Sequence, residues 1–143
     1  MQPTENALIF IIDDDAGVRE ALAWLLRSRR LPSLCFESAD SFVAQWRPDW
    51  LPDQPTCMLL DVRMPGMSGL EAMSTLRERL PQAPIVVMTA YGDLQTAVKA
   101  VQEGAFEYLL KPFDLNVVER TLTRALRREI PTQKLTVPSP AAD

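Results

Sequence analysis

The sequence contains no histidine. This absence excludes Ser-His-Asp and Cys-His nucleophilic sites, histidine-ligated zinc or haem, and histidine as a general base. It also means that the chain cannot itself carry a phosphohistidine. Any chemistry must therefore rest on carboxylates, lysine, hydroxyl groups or the two cysteines.

Cysteine and long apolar runs are scarce as well. Only Cys35 and Cys57 are present, and they form no CxxC pair. The longest clean apolar run near the start, Ala7 to Ile12, is too short for a signal peptide, and three aspartates follow it. No stretch has the length of a transmembrane span. We therefore expect a cytoplasmic protein with reduced thiols and no membrane partner.

The composition is that of one globular domain. The chain has 143 residues, of which 47% are hydrophobic and 24% are charged. It carries 19 acidic and 15 basic residues, so its net charge is −4. Because non-specific binding to nucleic acid needs clustered Lys and Arg, this balance argues against it.

Short apolar runs alternate with amphipathic stretches along the chain. Continuous apolar runs are typical of strands that are buried on both faces. The five runs are Leu8–Ile12, Ser33–Phe36, Cys57–Leu60, Ile85–Met88 and Phe106–Leu110. Each is followed by a stretch with helical spacing of apolar residues, the weakest being Ser41 to Trp46. Asp93, Asp114, and Ser68 together with Glu71 are predicted helix caps.

This alternation predicts an α/β fold of the flavodoxin-like (βα)5 type. The sheet is doubly wound, parallel and five-stranded, with helices on both faces and the strand order 2-1-3-4-5. In this order strand 1 lies between Cys35 and Cys57, which separates them by about 9–10 Å, beyond the roughly 7 Å reach of a disulfide. We expect the domain at residues 7–130, an N-terminal extension at 1–6 and a flexible tail or linker at 131–143.

Polar side chains stand where the predicted strands end. Strand 1 ends in the run Asp13–Asp15, strand 3 in Asp61, strand 4 in Thr89 and strand 5 in Lys111. Any one of them alone is more often structural, as a helix cap or a surface residue. In a parallel doubly wound sheet, however, the carboxyl ends of the strands form the ligand crevice. Their coincidence at one edge therefore indicates a functional site.

The residue types at this edge favour one kind of chemistry. Crowded carboxylates without Cys or His ligands favour Mg²⁺ over zinc. A lysine and a hydroxyl beside such a metal can hold the oxygens of a transferring phosphoryl group. A carboxylate in this setting can also act as the nucleophile that forms an aspartyl phosphate.

At these positions the sequence resembles the receiver domain of bacterial two-component response regulators. The resemblance covers most of the chain, from about Leu8 to Arg128. It is most marked with receivers of nitrogen-control and nitrogen-fixation transcriptional regulators. The matching segments are Ile11–Asp15, Leu60–Gly69, Met88–Ala90 and Tyr108–Phe113.

The resemblance implies a role for each matching residue. Asp61 would be the phosphoacceptor, in a site that holds Mg²⁺ or Mn²⁺. Asp14 and Asp61 would bind the metal directly, Asp13 through water, and Arg63 through its backbone carbonyl.

Three further residues would act on the phosphoryl group or respond to it. Lys111 would contact the phosphoryl oxygens, and the Lys111–Pro112 peptide would be cis. Thr89 would hydrogen-bond the phosphoryl group, and Tyr108 would turn inward when Thr89 moves.

The same resemblance implies partners. A receiver takes its phosphoryl group from a sensor histidine kinase and then switches the face of helix 4, strand 5 and helix 5. It is no enzyme beyond its own phosphorylation and dephosphorylation. Kinase docking is expected at helix 1, where Trp24 and Leu25 lie beside Arg19 and Arg27. A phosphorylation-dependent homodimer is the default hypothesis, and DNA would be reached only through an output domain absent from this chain.

Other interpretations stay open at this point. The segment Asp13–Val18 resembles the D-x-D-G-T motif of haloacid-dehalogenase-type phosphatases, which would make Asp13 the nucleophile. Ala16 and Gly17 depart from that motif. A third interpretation is an interaction module that has a receiver fold but is not phosphorylated. The complete set of side chains at the strand ends argues against it. A DNA-binding protein is a fourth, but no helix-turn-helix follows Arg128.

Overall fold

The computed structural model describes residues 7–47, 55–63 and 69–127, in which strands and helices alternate. The strands are β1 (Leu8–Ile12), β2 (Ser33–Phe36), β3 (Thr56–Asp61), β4 (Ile85–Thr89) and β5 (Glu107–Leu110). The helices are α1 (Ala16–Ser28), α2 (Ala39–Gln45), α3 (Gly69–Arg79), α4 (Leu94–Gln102) and α5 (Leu115–Leu126). A short 3₁₀ turn, Tyr91–Asp93, leads into α4.

All strands are parallel and lie in the order β2-β1-β3-β4-β5. The flavodoxin-like α/β fold and its strand order are therefore confirmed. Near the carboxyl ends, Ile12 pairs with Leu60, Asp61 with Met88, and Thr89 with Leu110. This register aligns the ends of the strands, so that the residues following them share one edge.

The core consists of two apolar layers, one on each face of the sheet. Phe10 and Ile12 on β1 point to the layer that includes α2, α3 and α4, whereas Ile9 and Ile11 point to the layer with α1 and α5. Every residue of β3 and β4 is buried. These two central strands hold the carboxyl edge rigidly because both of their faces are covered.

The edge strand β2 departs from the prediction of burial on both faces. Leu34 and Cys35 are exposed, while Phe36 is buried. The run is apolar enough to pair with β1, but an edge strand has a neighbour on one side only. Within the part of the chain that the structure describes, Cys35 and Cys57 are both free thiols, as predicted.

Most helices begin at a residue whose side chain accepts hydrogen bonds from the first turn. Asp15, Ser38 and Asp114 cap α1, α2 and α5 in this way. The prediction for Asp114 is confirmed, but the prediction for Asp93 is wrong in one respect. Asp93 stands at the N-cap of α4, yet its side chain makes no capping hydrogen bond within this described segment.

Three predictions concern residues outside the described ranges. These are the cap at Ser68, the N-terminal extension at 1–6 and the tail at 131–143. Among the helices that the structure describes, none combines the length and the hydropathy needed to cross a bilayer.

Candidate functional site

The carboxyl edge of the sheet brings the predicted site residues together. Asp13 follows β1, and its backbone N–H donates to the carbonyl of Phe36, 3.1 Å away. Asp61 is the last residue of β3, and Thr89 is the last residue of β4. Lys111 follows β5, and its backbone N–H donates to the Thr89 carbonyl at 2.7 Å. The backbone of four strands therefore fixes the positions of these side chains.

Three carboxylates converge at this edge. Asp13, Asp14 and Asp61 each offer an oxygen, and these oxygens lie within 4.8 Å of one another. Asp13 and Asp61 are buried, whereas Asp14 is exposed. The cluster therefore has two acids set into the protein and a third that faces solvent.

Asp13 is fully buried, and both of its carboxylate oxygens have partners. One oxygen accepts the backbone N–H of Asp15 at 2.9 Å, and the other accepts the Lys111 ammonium at 2.8 Å. Arg19 also holds this turn, because its guanidinium donates to the backbone carbonyl of Asp13 at 2.8 Å. Asp13 is thus a fixed anchor of the site.

Lys111 bridges the two buried acids. Its ammonium lies 2.8 Å from Asp13 Oδ2 and 3.4 Å from Asp61 Oδ1. Burial tends to lower the pKa of Lys111, but the hydrogen bond to Asp13 and the charges of both acids outweigh it, so that the pKa is raised. Lys111 is therefore a permanent positive charge beside Asp61.

Asp61 lies in a setting that disfavours its ionised form. Burial and the negative charge of Asp13 raise its pKa from 3.8 to about 6, although Lys111 and the backbone N–H of Arg63 act in the opposite direction. That N–H lies 3.4 Å from Asp61 Oδ1. A cation placed among these acids would favour the carboxylate form of Asp61.

Thr89 ends β4, the neighbour of the strand that carries Asp61, and Tyr108 lies one strand further on, in β5. The Thr89 hydroxyl is buried and donates to the Ala90 carbonyl at 3.0 Å. Tyr108 is partly buried on β5 and packs against the apolar layer that contains α4. In this state Thr89 already has a partner, so that donation to any group on Asp61 requires that hydroxyl to turn.

The structure also shows site contacts that sequence reasoning missed. Arg63, two residues after Asp61, reaches across to Asp93 at the start of α4, with Nε at 3.1 Å and Nη2 at 2.5 Å from Oδ1. Arg19 reaches the Asp13 carbonyl as described above. Neither contact has a signal in the sequence, because both depend on where long side chains are directed by loops.

The surface proposed for kinase docking on α1 is only partly as predicted. Trp24 is 61% exposed, but Leu25 is 3% exposed and belongs to the core beneath the helix. Arg27 is exposed, whereas Arg19 is partly buried at the Asp13 turn. Leu25 is therefore removed from this surface.

The family of the chain follows from comparison with known proteins. A model of the response regulator receiver domain matches residues 9–123. The chain belongs to this family. It is a receiver domain of two-component response regulators, and this decides against the phosphatase interpretation.

Two relatives are named as transcriptional regulators. The chain is 34% identical over 143 residues to the DNA-binding transcriptional regulator NtrC of Salmonella typhimurium, covering 97% of this chain and 29% of that protein. It is 39% identical over 137 residues to the transcriptional regulatory protein TdiR of Thauera aromatica, covering 91% of this chain and 58% of TdiR. The predicted likeness to nitrogen-control regulators is confirmed.

A solved structure shows the same fold. The response regulator StyR is 38% identical, with a TM-score of 0.74, and the match covers 87% of this chain and 61% of the StyR chain. This chain thus spans less than two thirds of each of these relatives. The region they share with it is the receiver domain.

Proposed function

We propose that Asp61 accepts a phosphoryl group from the phosphohistidine of a sensor histidine kinase in the cytoplasm. The arrangement of Asp61 beside buried Asp13 and the Lys111 ammonium is the observation that supports this most strongly. An Asp61 carboxylate oxygen attacks phosphorus, the bond between phosphorus and the histidine nitrogen breaks, and the imidazole keeps the electron pair. Lys111 offsets the negative charge that gathers on the phosphoryl oxygens.

The donor set fits Mg²⁺ or Mn²⁺. Asp14 and Asp61 would bind the metal directly, Asp13 through water, and the Arg63 backbone carbonyl would add a further oxygen. The bound ion would supply charge neutralisation for the transferring phosphoryl group. All of these ligands are oxygens, and the three carboxylates already converge within 4.8 Å.

Hydrolysis of the acyl phosphate returns Asp61 to its carboxylate form. Water attacks phosphorus, inorganic phosphate leaves, and the domain is reset. The chain therefore catalyses its own phosphorylation and dephosphorylation and does not turn over a separate substrate.

The response to phosphorylation involves Thr89 and Tyr108. A phosphoryl group carries about −1.5 to −2 charge and three acceptor oxygens. The Thr89 hydroxyl leaves the Ala90 carbonyl and donates to one of these oxygens. The space it vacates admits the Tyr108 ring, which reshapes the face of α4, β5 and α5.

This face is the proposed route to an output. Val98 on α4 and Leu115 and Val117 on α5 are exposed apolar residues, which suits a phosphorylation-dependent homodimer. The named relatives are transcriptional regulators that are longer than this chain. We therefore propose control of transcription through an output domain outside this sequence.

The test of this function is the intact mass of the protein after incubation with acetyl phosphate and Mg²⁺. We expect the gain of one phosphoryl group, and its loss in Asp61→Asn, in Asp14→Asn and in EDTA. Asp40→Asn is a matched control, because Asp40 is an exposed acid on α2 that does not belong to the cluster. If the protein gains no mass and also fails to bind beryllofluoride with Mg²⁺, the interaction-module interpretation replaces this one.

The homodimer has a separate test. Sedimentation of the Mg²⁺-beryllofluoride form at high protein concentration should show a dimer, and the metal-free form should show a monomer. A beryllofluoride form that stays monomeric would contradict the dimer while leaving the phosphoacceptor role of Asp61 intact.

A further inference from the structure

Asp93 stands at the N-cap position of α4, but its side chain does not cap the helix. At the N-caps of α1 and α5, Asp15 and Asp114 have extended backbones with ψ of 114° and 118°, and each side chain accepts two backbone N–H groups. Asp93 has a ψ of 17°, and its carboxylate makes no bond to the first turn of α4, all of which the structure describes. The start of α4 therefore lacks the side-chain cap that the residue type could supply.

The carboxylate of Asp93 is instead held by Arg63. Two guanidinium nitrogens, Nε and Nη2, donate to the same oxygen, Oδ1. The side chain of Arg63 is 78% exposed, and that of Asp93 is 18% exposed. Ion pairs that are open to solvent on one side contribute little to stability, so that this pair can be exchanged for another at small cost.

Arg63 is also the guanidinium nearest in sequence to the phosphoacceptor. It lies two residues after Asp61, and its backbone N–H is 3.4 Å from Asp61 Oδ1. A phosphoryl group on Asp61 would place up to two negative charges near the base of this side chain, where the carboxylate had one. Phosphate oxygens pair with guanidinium groups in bidentate fashion, so that they compete directly with the Asp93 carboxylate.

We propose that Asp93 exchanges partners when Asp61 is phosphorylated, from the Arg63 guanidinium to the backbone N–H groups of Gln95 and Thr96. Arg63 and Asp93 are then positioning residues that couple charge at Asp61 to the start of α4. The exchange turns ψ of Asp93 towards the values of the other two aspartate caps. This rotation moves the 3₁₀ turn Tyr91–Asp93 relative to α4. The proposal rests on the proposed function of Asp61.

The first test needs no phosphorylation. Hydrogen exchange at the amides of Gln95 and Thr96 is measured by NMR in Arg63→Gln and in wild type, without metal. We expect about fivefold slower exchange in the variant, as for a cap of ordinary strength, because Asp93 is released to cap α4. Arg79→Gln is the matched control, since Arg79 is an arginine of α3 that contacts only Glu78 at 4.0 Å among the ion pairs described.

Two substitutions of Asp93 separate the cap from the ion pair. Asn caps helices as well as Asp but carries no charge for Arg63, so that Asp93→Asn should slow exchange as Arg63→Gln does. Asp93→Ala has neither partner and should not slow it. The proposal is wrong if Arg63→Gln exchanges at the wild-type rate, or if Asp93→Ala slows exchange as much as Asp93→Asn.

A second test adds Mg²⁺ and beryllofluoride to wild type and Asp93→Ala, with binding followed separately by fluorine NMR. Bound wild type should show slowed exchange at Gln95 and Thr96, and bound Asp93→Ala should not. If beryllofluoride binds and exchange in wild type is unchanged, the partner exchange is overturned and the function of Asp61 stands. If beryllofluoride does not bind, the proposed phosphoacceptor role of Asp61 is wrong. The metal-free comparison then still shows whether Arg63 keeps Asp93 from capping α4.

Discussion

At the scale of single residues, the site places two buried acids, Asp13 and Asp61, beside the single ammonium of Lys111. Burial and Asp13 oppose the ionisation of Asp61, and Lys111 favours it, with the net result that its pKa is raised to about 6. A cation at this site would therefore stabilise the ionised form of Asp61, which the metal-free site disfavours. Two substitutions test this balance.

Asp61→Asn should stabilise the metal-free domain at neutral pH. The pKa of Asp61 is 3.8 in the unfolded chain and about 6 in the folded domain. The contribution of protonated Asp61 to the free energy of unfolding is therefore fully present below pH 3.8 and is lost as the pH rises through 6. The variant should therefore gain about 1–3 kcal/mol over wild type at pH 7.5, and the difference should vanish near pH 4. Urea unfolding in EDTA at both pH values measures it. A difference that does not change with pH would contradict the raised pKa.

Lys111→Met should separate metal binding from phosphoryl transfer. Removing the ammonium leaves Asp13 buried without its ion pair, which should cost about 2–4 kcal/mol of stability in metal-free protein. Mg²⁺ should bind more tightly, because it no longer shares the acids with a lysine, while phosphorylation by acetyl phosphate should slow at least tenfold.

Calorimetric titration with Mg²⁺ and the rate of mass gain measure these two effects. Lys99→Met is the matched control, since Lys99 is exposed on α4 and lies 4.0 Å from Glu103. Unchanged Mg²⁺ affinity in Lys111→Met would show that the ammonium does not compete for the acids.

Much of the site could be predicted from single residues, and the reason is geometric. Asp61 and Thr89 end the buried strands β3 and β4, and Lys111 follows β5. The end of a strand is fixed in space once the strand order is known. The contacts of Arg19 and of Arg63 with Asp93 could not be predicted. They join long side chains to partners whose position depends on loops, and no periodic pattern encodes them.

At the scale of elements, the junction between α3 and the end of α4 depends on one glycine. Gly104 has a φ of 118°, a conformation that other residues rarely adopt. The guanidinium of Arg77 on α3 donates to the Glu103 carbonyl at 3.2 Å and fills the space where a side chain at position 104 would begin. A Cβ there would lie 2.5 Å from Arg77 Nη2.

Gly104→Ala should therefore destabilise the domain by about 1–3 kcal/mol. In the double variant with Arg77→Ala the clash is gone but the positive φ remains, so that the cost of Gly104→Ala should shrink without vanishing. Urea unfolding of the four proteins in the cycle gives the coupling between the two positions. A cost for Gly104→Ala that is the same with and without Arg77 would mean that the guanidinium moves aside freely.

The elements themselves were largely predictable, with exceptions at the edges. Apolar runs located all five strands to within a residue or so at each end, because β1, β3 and β4 are buried on both faces. The same rule failed for β2, whose Leu34 and Cys35 are exposed. An apolar run predicts pairing into the sheet, but burial also depends on what lies beyond the strand.

At the scale of the whole molecule, a metal that binds at the carboxyl edge of the parallel sheet stabilises the entire domain. The acids come from β1 and β3, and the lysine follows β5, so that a metal at this edge links segments distant in sequence. Topology could be predicted because right-handed βα crossovers leave few arrangements for five alternating strands. The binding partners of the surface could not be predicted, because the exposure of a residue does not identify what binds to it.

Mg²⁺ should raise the melting temperature of the domain in a dose-dependent manner. A ligand that binds only the folded state stabilises it by about 2.7 kcal/mol at one hundred times its Kd. Asp14→Asn should lose most of this shift while its metal-free melting temperature stays close to wild type, because Asp14 is exposed. Differential scanning calorimetry with and without Mg²⁺ measures both. An equal Mg²⁺ shift in Asp14→Asn would place the ion elsewhere.

We propose that Asp61, and no other carboxylate of the cluster, is the phosphoacceptor. Borohydride reduces an aspartyl phosphate to homoserine, which marks the acceptor permanently. The most direct measurement is therefore peptide mass spectrometry after phosphorylation with acetyl phosphate and Mg²⁺ and reduction with borohydride. We predict homoserine at position 61 alone, in a yield that follows the mass gain of the intact protein. Homoserine at Asp13 or Asp14, or none at any position after a measured mass gain, would contradict this role of Asp61.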